Sequence, residues 1–194
     1  MSDTSAAFRI LAISGSLRAR SSNTEALRAA ALVAPDSVTM TFFEELGALP
    51  HFNPDLDGEG AVPPESVQEF RARIGEADAL LICSPEYAHG VPGTLKNALD
   101  WLVSSSEMLF KPIGLLNVSP RSKHAYASLA ETLRTMSTVL VEGASVELAL
   151  SGTGLDAAGI AANPEMSRVL RSSIDALMVA AVEYRRQRLE FGQA

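Results

Sequence analysis

Three observations predict a three-layer, doubly wound α/β fold. Short apolar runs alternate with helix-period segments from end to end; the runs are continuously apolar; and no repeat or low-complexity stretch interrupts them. A strand with one wet face alternates apolar and polar residues, so unbroken apolarity marks strands of a parallel sheet covered on both sides. The 194 residues suit one domain, 1–194.

The first run, residues 8–13, leads into a helix carried by Ala26, Leu27, Ala30, Ala31 and Val33. Val38–Phe43 is the second run, and the Pro-, Gly- and Asp-rich residues 44–64 after it read as a surface loop. Val67, Phe70 and Ile74 then give a helical stripe, followed by the third run, Ala79–Cys83. Pro92 opens a helix whose Leu95, Ala98, Leu99 and Leu102 repeat at the period of one helix face. Residues 113–118 form the fourth run, Leu129, Leu133 and Met136 the next helix, and 145–150 the fifth run. Asn163-Pro164 supplies a cap and a first-turn proline for a last helix bearing Met166, Val169, Leu170, Ile174, Leu177, Met178 and Ala181.

Composition narrows the function. Sixteen Lys and Arg against 23 Asp and Glu leave a charge of −7, with no basic run to neutralise phosphates, so no nucleic-acid partner is expected. Cys83 is the single cysteine, which rules out an internal disulfide or a multi-cysteine metal site. The start lacks a signal-peptide pattern and no apolar run approaches the ~20 residues of a membrane span. A cytoplasmic protein without a membrane partner is expected.

Open α/β sheets bind ligands beyond the carboxyl ends of their strands. The first such loop contains Ser16, Arg18, Ser21, Ser22 and Asn23 and enters a helix. Backbone N–H groups and the positive helix end, with these hydroxyl, amide and guanidinium donors, make an anion site fit for a phosphate. One glycine and no Gly-Lys-Ser/Thr exclude the dinucleotide fingerprint and the Walker loop. Capping and solvation explain any one of these residues alone, but not the cluster. The third-strand loop holds Pro85, Glu86, Tyr87, His89 and Gly90 and is stiffened by two prolines, so a flat heteroaromatic ring fits against it.

With these two segments, residues 15–23 and 85–101, the chain resembles the NADPH-dependent FMN reductase family, including its quinone and chromate reductases. The resemblance implies a flavodoxin-like fold with a five-stranded parallel sheet of order 2-1-3-4-5. It implies an FMN phosphate on Ser16, Arg18, Ser21 and Asn23, with Ser22 beside them, and a flavin ring on Pro85, Glu86, Tyr87 and their neighbours. Two departures stand out. Ala88 and Gly90 replace the Asn and Ser common in the family, and the loop after strand four reads Ser119-Pro120-Arg121-Ser122-Lys123-His124 where many members are Ser-Gly-rich. Ser119 sits at the strand end, and Arg121 is a candidate for the ring edge or for the nicotinamide donor's phosphates.

Other residues have plain readings. Cys83 suits core filling, His51 and His124 stand alone in sequence, and His89 touches either the flavin site or solvent. Asn97 and Asp100 either buttress the loop or face a partner chain, and Trp101 packs. The expected function is electron transfer from NADPH or NADH through FMN to a small-molecule acceptor, a quinone first, without a catalytic side chain or a metal. The alternative is a flavodoxin-like carrier or redox sensor that binds FMN without nicotinamide turnover. A homodimer or homotetramer is implied by the family and by the apolar cluster Leu102, Val103, Met108, Leu109 and Phe110.

Overall fold

The computed structural model describes residues 7–191; the terminal residues on which the reading of no leader rests lie outside them. In chain order the elements are β1 (Phe8–Ser14), α1 (Ser22–Val33), β2 (Val38–Phe43), α2 (Glu65–Glu76), β3 (Ala79–Cys83), α3 (Gly93–Asp100), β4 (Pro112–Asn117), α4 (Lys123–Thr135), β5 (Val139–Leu140), β6 (Val146–Glu147), α5 (Ala157–Ala162) and α6 (Pro164–Phe191). Every strand pair is parallel, in the order β2-β1-β3-β4-β5, with β6 also on β4. The order reverses between β1 and β3, so the loops after these strands face one crevice.

Alternate residues of each strand face opposite layers. Leu11, Ile13, Leu80 and Ile82 pack with Phe70 and Ile74 of α2, Leu95 of α3 and Leu133 of α4. Ile10, Ala12, Leu81 and Cys83 pack with Leu27 and Ala30 of α1 and Leu170, Ile174 and Leu177 of α6. The helix starts follow their caps: Asn163 Oδ1 accepts from the N–H groups of Glu165 and Met166, both at 3.1 Å.

Two expectations need correction, and one short helix was not anticipated. The fifth run, 145–150, is not one strand: its sheet position is shared by β5 and β6, parted by a short 3-10 turn, Glu142–Ala144. Ser145 explains how the break is tolerated. Its hydroxyl accepts from Leu115 N–H at 3.3 Å and donates to the Val141 carbonyl at 3.1 Å, replacing strand backbone. Residues 44–64 are not wholly surface: Leu46 and Leu49 are buried, and Pro50 O accepts from both Asn97 Nδ2 and Trp101 Nε1. The six-residue α5, capped by Asp156, is too short to show a period.

Candidate functional site

The loop after β1 is built by close backbone approach. Gly15 N–H donates to Cys83 O at 2.8 Å, and a Cβ at position 15 would stand 2.8 Å from Ser84 Oγ. A side chain at position 15 would crowd Ser84 and Leu95, so glycine eases the close approach of the β1 and β3 loops. Ser14 Oγ bonds Thr24 Oγ1 at 2.9 Å and accepts from Ser16 N–H at 3.3 Å, folding the loop back over the first turn of α1. Ser21 caps that turn, its hydroxyl oxygen accepting from Thr24 N–H at 3.5 Å. The N–H groups of Ser22 and Asn23 precede the helical ladder and point at the same loop.

Ser16, Ser21 and Asn23 are buried here, whereas Arg18, Arg20 and Ser22 are exposed at the rim. Asn23 has a partner that its sequence context did not announce: the Cys83 thiol donates to its Oδ1 at 3.2 Å. That bond occupies Oδ1 and leaves the Asn23 amide N–H groups as its available donors. Burial pushes the Cys83 thiol pKa well up, so the sulfur stays protonated and able to donate. A cavity of about 180 Å³ beside this loop is lined by Ser14, Ser16, Arg18 and Thr24, with Phe42 and Glu44 from the end of β2.

Beyond β3 the chain makes a tight turn. Tyr87 N–H donates to Gly90 O at 3.1 Å and Gly90 N–H to Tyr87 O at 2.9 Å. The two central residues, Ala88 and His89, have φ of 49° and 60°. Such a turn favours Asn-Gly, so Ala and His here hold strain on the order of 1–2 kcal/mol each. The turn is tied to α4 at two points. Ala125 N–H donates to the Glu86 carboxylate at 2.9 Å, and the His89 ring stacks on that of His124 with centroids 4.3 Å apart. His124 thus joins the site from a helix 35 positions along the chain, which no spacing rule could anticipate. Tyr87 stands 51% exposed, its ring free for a flat ligand.

Behind the turn, Asn97 accepts from Phe52 N–H at 2.8 Å as well as holding Pro50, so it buttresses the β2 loop. Asp100 pairs with Lys96 on the same helix. After β4, Ser119 N–H donates to Asn117 Oδ1 at 3.1 Å, and Ser122 N–H to Ser119 O at 2.9 Å, bending the chain into α4. Ser119 is half-buried at the strand end, and Arg121 is exposed. The structure therefore gathers Ser16, Arg18, Ser21, Ser22, Asn23, Pro85, Glu86, Tyr87, His89, Gly90, Ser119 and Arg121 at one end of the sheet. Glu86 is drawn toward α4 rather than held free. A larger cavity, about 750 Å³, opens at the opposite end among Arg9, Glu107, Phe110, Tyr184 and Arg188. It faces the amino ends of the strands, where sheets of this type do not place their ligands.

Among the described residues no helix is long and apolar enough to cross a membrane, and no cluster of His, Cys, Asp and Glu could hold a metal. In sequence, the chain is 30% identical over 176 residues to an NAD(P)H-dependent FMN reductase of Pseudomonas aeruginosa, covering 88% of this chain and 94% of that one. It is 39% identical over 118 residues to a quinone reductase of Pseudomonas putida (58% and 61% covered), and 46% over 95 to an NADPH:quinone oxidoreductase of Arabidopsis thaliana (48% of each). The chain thus spans about half to three fifths of the quinone reductases that it matches. In structure it resembles FerB, the NAD(P)H:(acceptor) flavoenzyme of Paracoccus denitrificans, with a TM-score of 0.71 at 26% identity, covering 91% of this chain and 98% of that one. The sequence profile of the NADPH-dependent FMN reductases matches residues 8–152, and the chain belongs to that family.

Proposed function

We propose that this protein is an FMN-dependent oxidoreductase that takes electrons from NADPH or NADH and passes them to a quinone or a similar small acceptor. The observation that carries this reading is the contact at Gly15: an anion-binding loop at the start of α1 and a rigid turn with an exposed aromatic ring lie side by side at the switch point of the sheet. The donor set fits a phosphomonoester: buried Ser16 and Ser21, the Asn23 amide, the Ser22 N–H and the Arg18 guanidinium surround the positive end of a twelve-residue helix.

FMN, when bound, supplies the two-electron chemistry between the nicotinamide and the acceptor. The chain's residues bind and orient. Ser16, Arg18, Ser21, Ser22 and Asn23 hold the phosphate, Pro85 and Tyr87 give the ring its face, and Gly90 and Ser119 bring backbone to its edge. Glu86 acts indirectly, through its bond to α4, by fixing the β3 turn. His89 and Arg121 stand at the open side, where a second substrate enters.

Purification with an absorption spectrum before and after adding FMN tests the cofactor, and NADPH oxidation with a quinone tests the reaction. No flavin uptake at excess FMN defeats the proposal. Uptake without nicotinamide turnover instead makes the protein a carrier or sensor. The protein is further expected to be a single domain that self-associates in a cytoplasmic setting. Of the apolar cluster after α3, Leu102 and Met108 belong to the core, but Val103 and Leu109 remain 68% and 47% exposed. Light scattering at micromolar concentration should exceed the 20.6 kDa of one chain.

A further inference from the structure

Most cations of the molecule are already engaged. Arg28, Arg71, Arg185 and Arg186 hold carboxylates, and Lys111 and Arg188 hold backbone carbonyls. At the carboxyl end of the sheet, Arg18, Arg20, Arg121 and Lys123 make no such side-chain contact among the described residues, in a chain of net charge −7. The loops 14–24, 84–94 and 119–124 together contain one carboxylate, Glu86, and it is spent on the N–H of Ala125. Four cations without such a contact thus stand where the ligands enter, against Arg9, Arg168 and Arg171 elsewhere among the described residues. Arg18 lines the phosphate loop, which leaves the cations after β4 as a surplus.

We propose that Arg121 and Lys123 form a second anion subsite, which takes the diphosphate bridge of the nicotinamide donor. The inference rests on the flavin-dependent reading above. Distance along the ligand decides which anion is held. The subsite adjoins the ring-binding turn, because His124, next to Lys123, stacks on His89 at 4.3 Å between centroids. A nicotinamide lying against the flavin has its diphosphate one ribose away, whereas the 2′-phosphate of NADPH lies beyond the second ribose. A patch touching the turn suits the nearer group. The side chains, not the helix start, make the subsite: Lys123 opens α4, and the Ala125 N–H of that first turn is already occupied by Glu86. Arg121 and Lys123 are both exposed, two positions apart on a loop tightened by the bond from Lys123 N–H to Arg121 O at 3.0 Å.

The experiment compares three donors on the FMN-loaded protein: NADPH, NADH and 1-benzyl-1,4-dihydronicotinamide, which has no phosphate. The double variant Arg121→Ala, Lys123→Ala should lower kcat/KM for NADPH and NADH by one common factor, roughly 10-fold or more, relative to the benzyl donor. The same factor should appear in calorimetry with ADP-ribose, which carries the diphosphate without a nicotinamide. Raising ionic strength should narrow the gap between wild type and variant. A loss confined to NADPH would move the cations to the 2′-phosphate and overturn the assignment. Equal loss with the benzyl donor, or no loss with any donor, would overturn the subsite. If wild type oxidised none of the three, the oxidoreductase reading would fail, while ADP-ribose binding would still decide whether the subsite exists.

Discussion

The two ends of the sheet treat charge in opposite ways. At the amino end, Asp78 takes Arg185 Nε at 2.8 Å and Nη2 at 2.6 Å and also accepts from Arg9 N–H at 2.8 Å. Lys111, fully buried, donates to Ala77 O at 2.6 Å and lies 4.6 Å above the Tyr184 ring. At the carboxyl end the cations lack such partners and the backbone at Ala88 and His89 is held in a left-handed turn. The amino end uses its charges inside the fold, at the cost of a Lys111 pushed toward neutrality by burial and a buried Glu107 Oε2 without a partner among the described residues, whereas the carboxyl end keeps its cations exposed and its turn strained. Each test below either separates the two ends or blurs them.

The largest effect is expected at Lys111. Burial, reinforced by Arg188, outweighs the attraction of Asp78 and Glu107 and lowers its pKa from 10.5 to about 7. Between those values the unfolded chain carries the proton and the folded one does not, so stability contributed at this site rises with pH from about 7 to 10.5. Urea unfolding at pH 7 and pH 9.5 should show wild type gaining several kcal/mol relative to Lys111→Met. Parallel pH profiles would mean that Lys111 remains charged in the fold.

Asp78→Ala should come next. Burial raises the Asp78 pKa, but the bonds from Arg185 and Arg9 outweigh it and leave a net lowering, so the carboxylate is ionised at neutral pH. Removing it takes the carboxylate from Arg185, which keeps the Ala7 carbonyl and the Phe8 ring, and costs about 2–4 kcal/mol, with FMN affinity of the folded fraction unaltered. Weakened FMN binding would show that the two ends are coupled. Arg18→Ala should do the reverse, costing on the order of 1.5–3 kcal/mol in FMN affinity and much less for riboflavin, with the unfolding midpoint unmoved. Flavin fluorescence titrations with both ligands decide it; an equal loss would make Arg18 a shaper of the loop. The smallest effect is Ala88→Gly, which relieves the positive φ and should stabilise by about 0.5–1 kcal/mol in thermal unfolding. A destabilised variant would indicate that the turn carries no strain.

Much of the fold was readable because the strands are buried on both faces: 8–13, Val38–Phe43 and Ala79–Cys83 match β1, β2 and β3 almost residue for residue. The last position was not, since Ser145 substitutes a hydroxyl for ladder backbone and composition does not distinguish that from a strand residue. The cluster of Ser16, Arg18, Ser21, Ser22 and Asn23, proposed above to hold a phosphate, was legible because it is local to the approach to α1. Pairings across loops were not: His89 with His124, Cys83 with Asn23, and Asn97 with Phe52 join residues far apart in sequence, and each depends on how helices dock rather than on any local pattern.

The divided fifth position has a bearing on how the protein keeps to itself. β5 and β6 offer two residues each, separated by the Glu142–Ala144 turn. A foreign strand seeking to extend the sheet there finds no run of spare N–H and C=O groups long enough to template it. The interruption works as a guard against edge-to-edge aggregation, and filling it with a continuous Val- and Ile-rich strand would put solubility at risk before it touched the proposed flavin site.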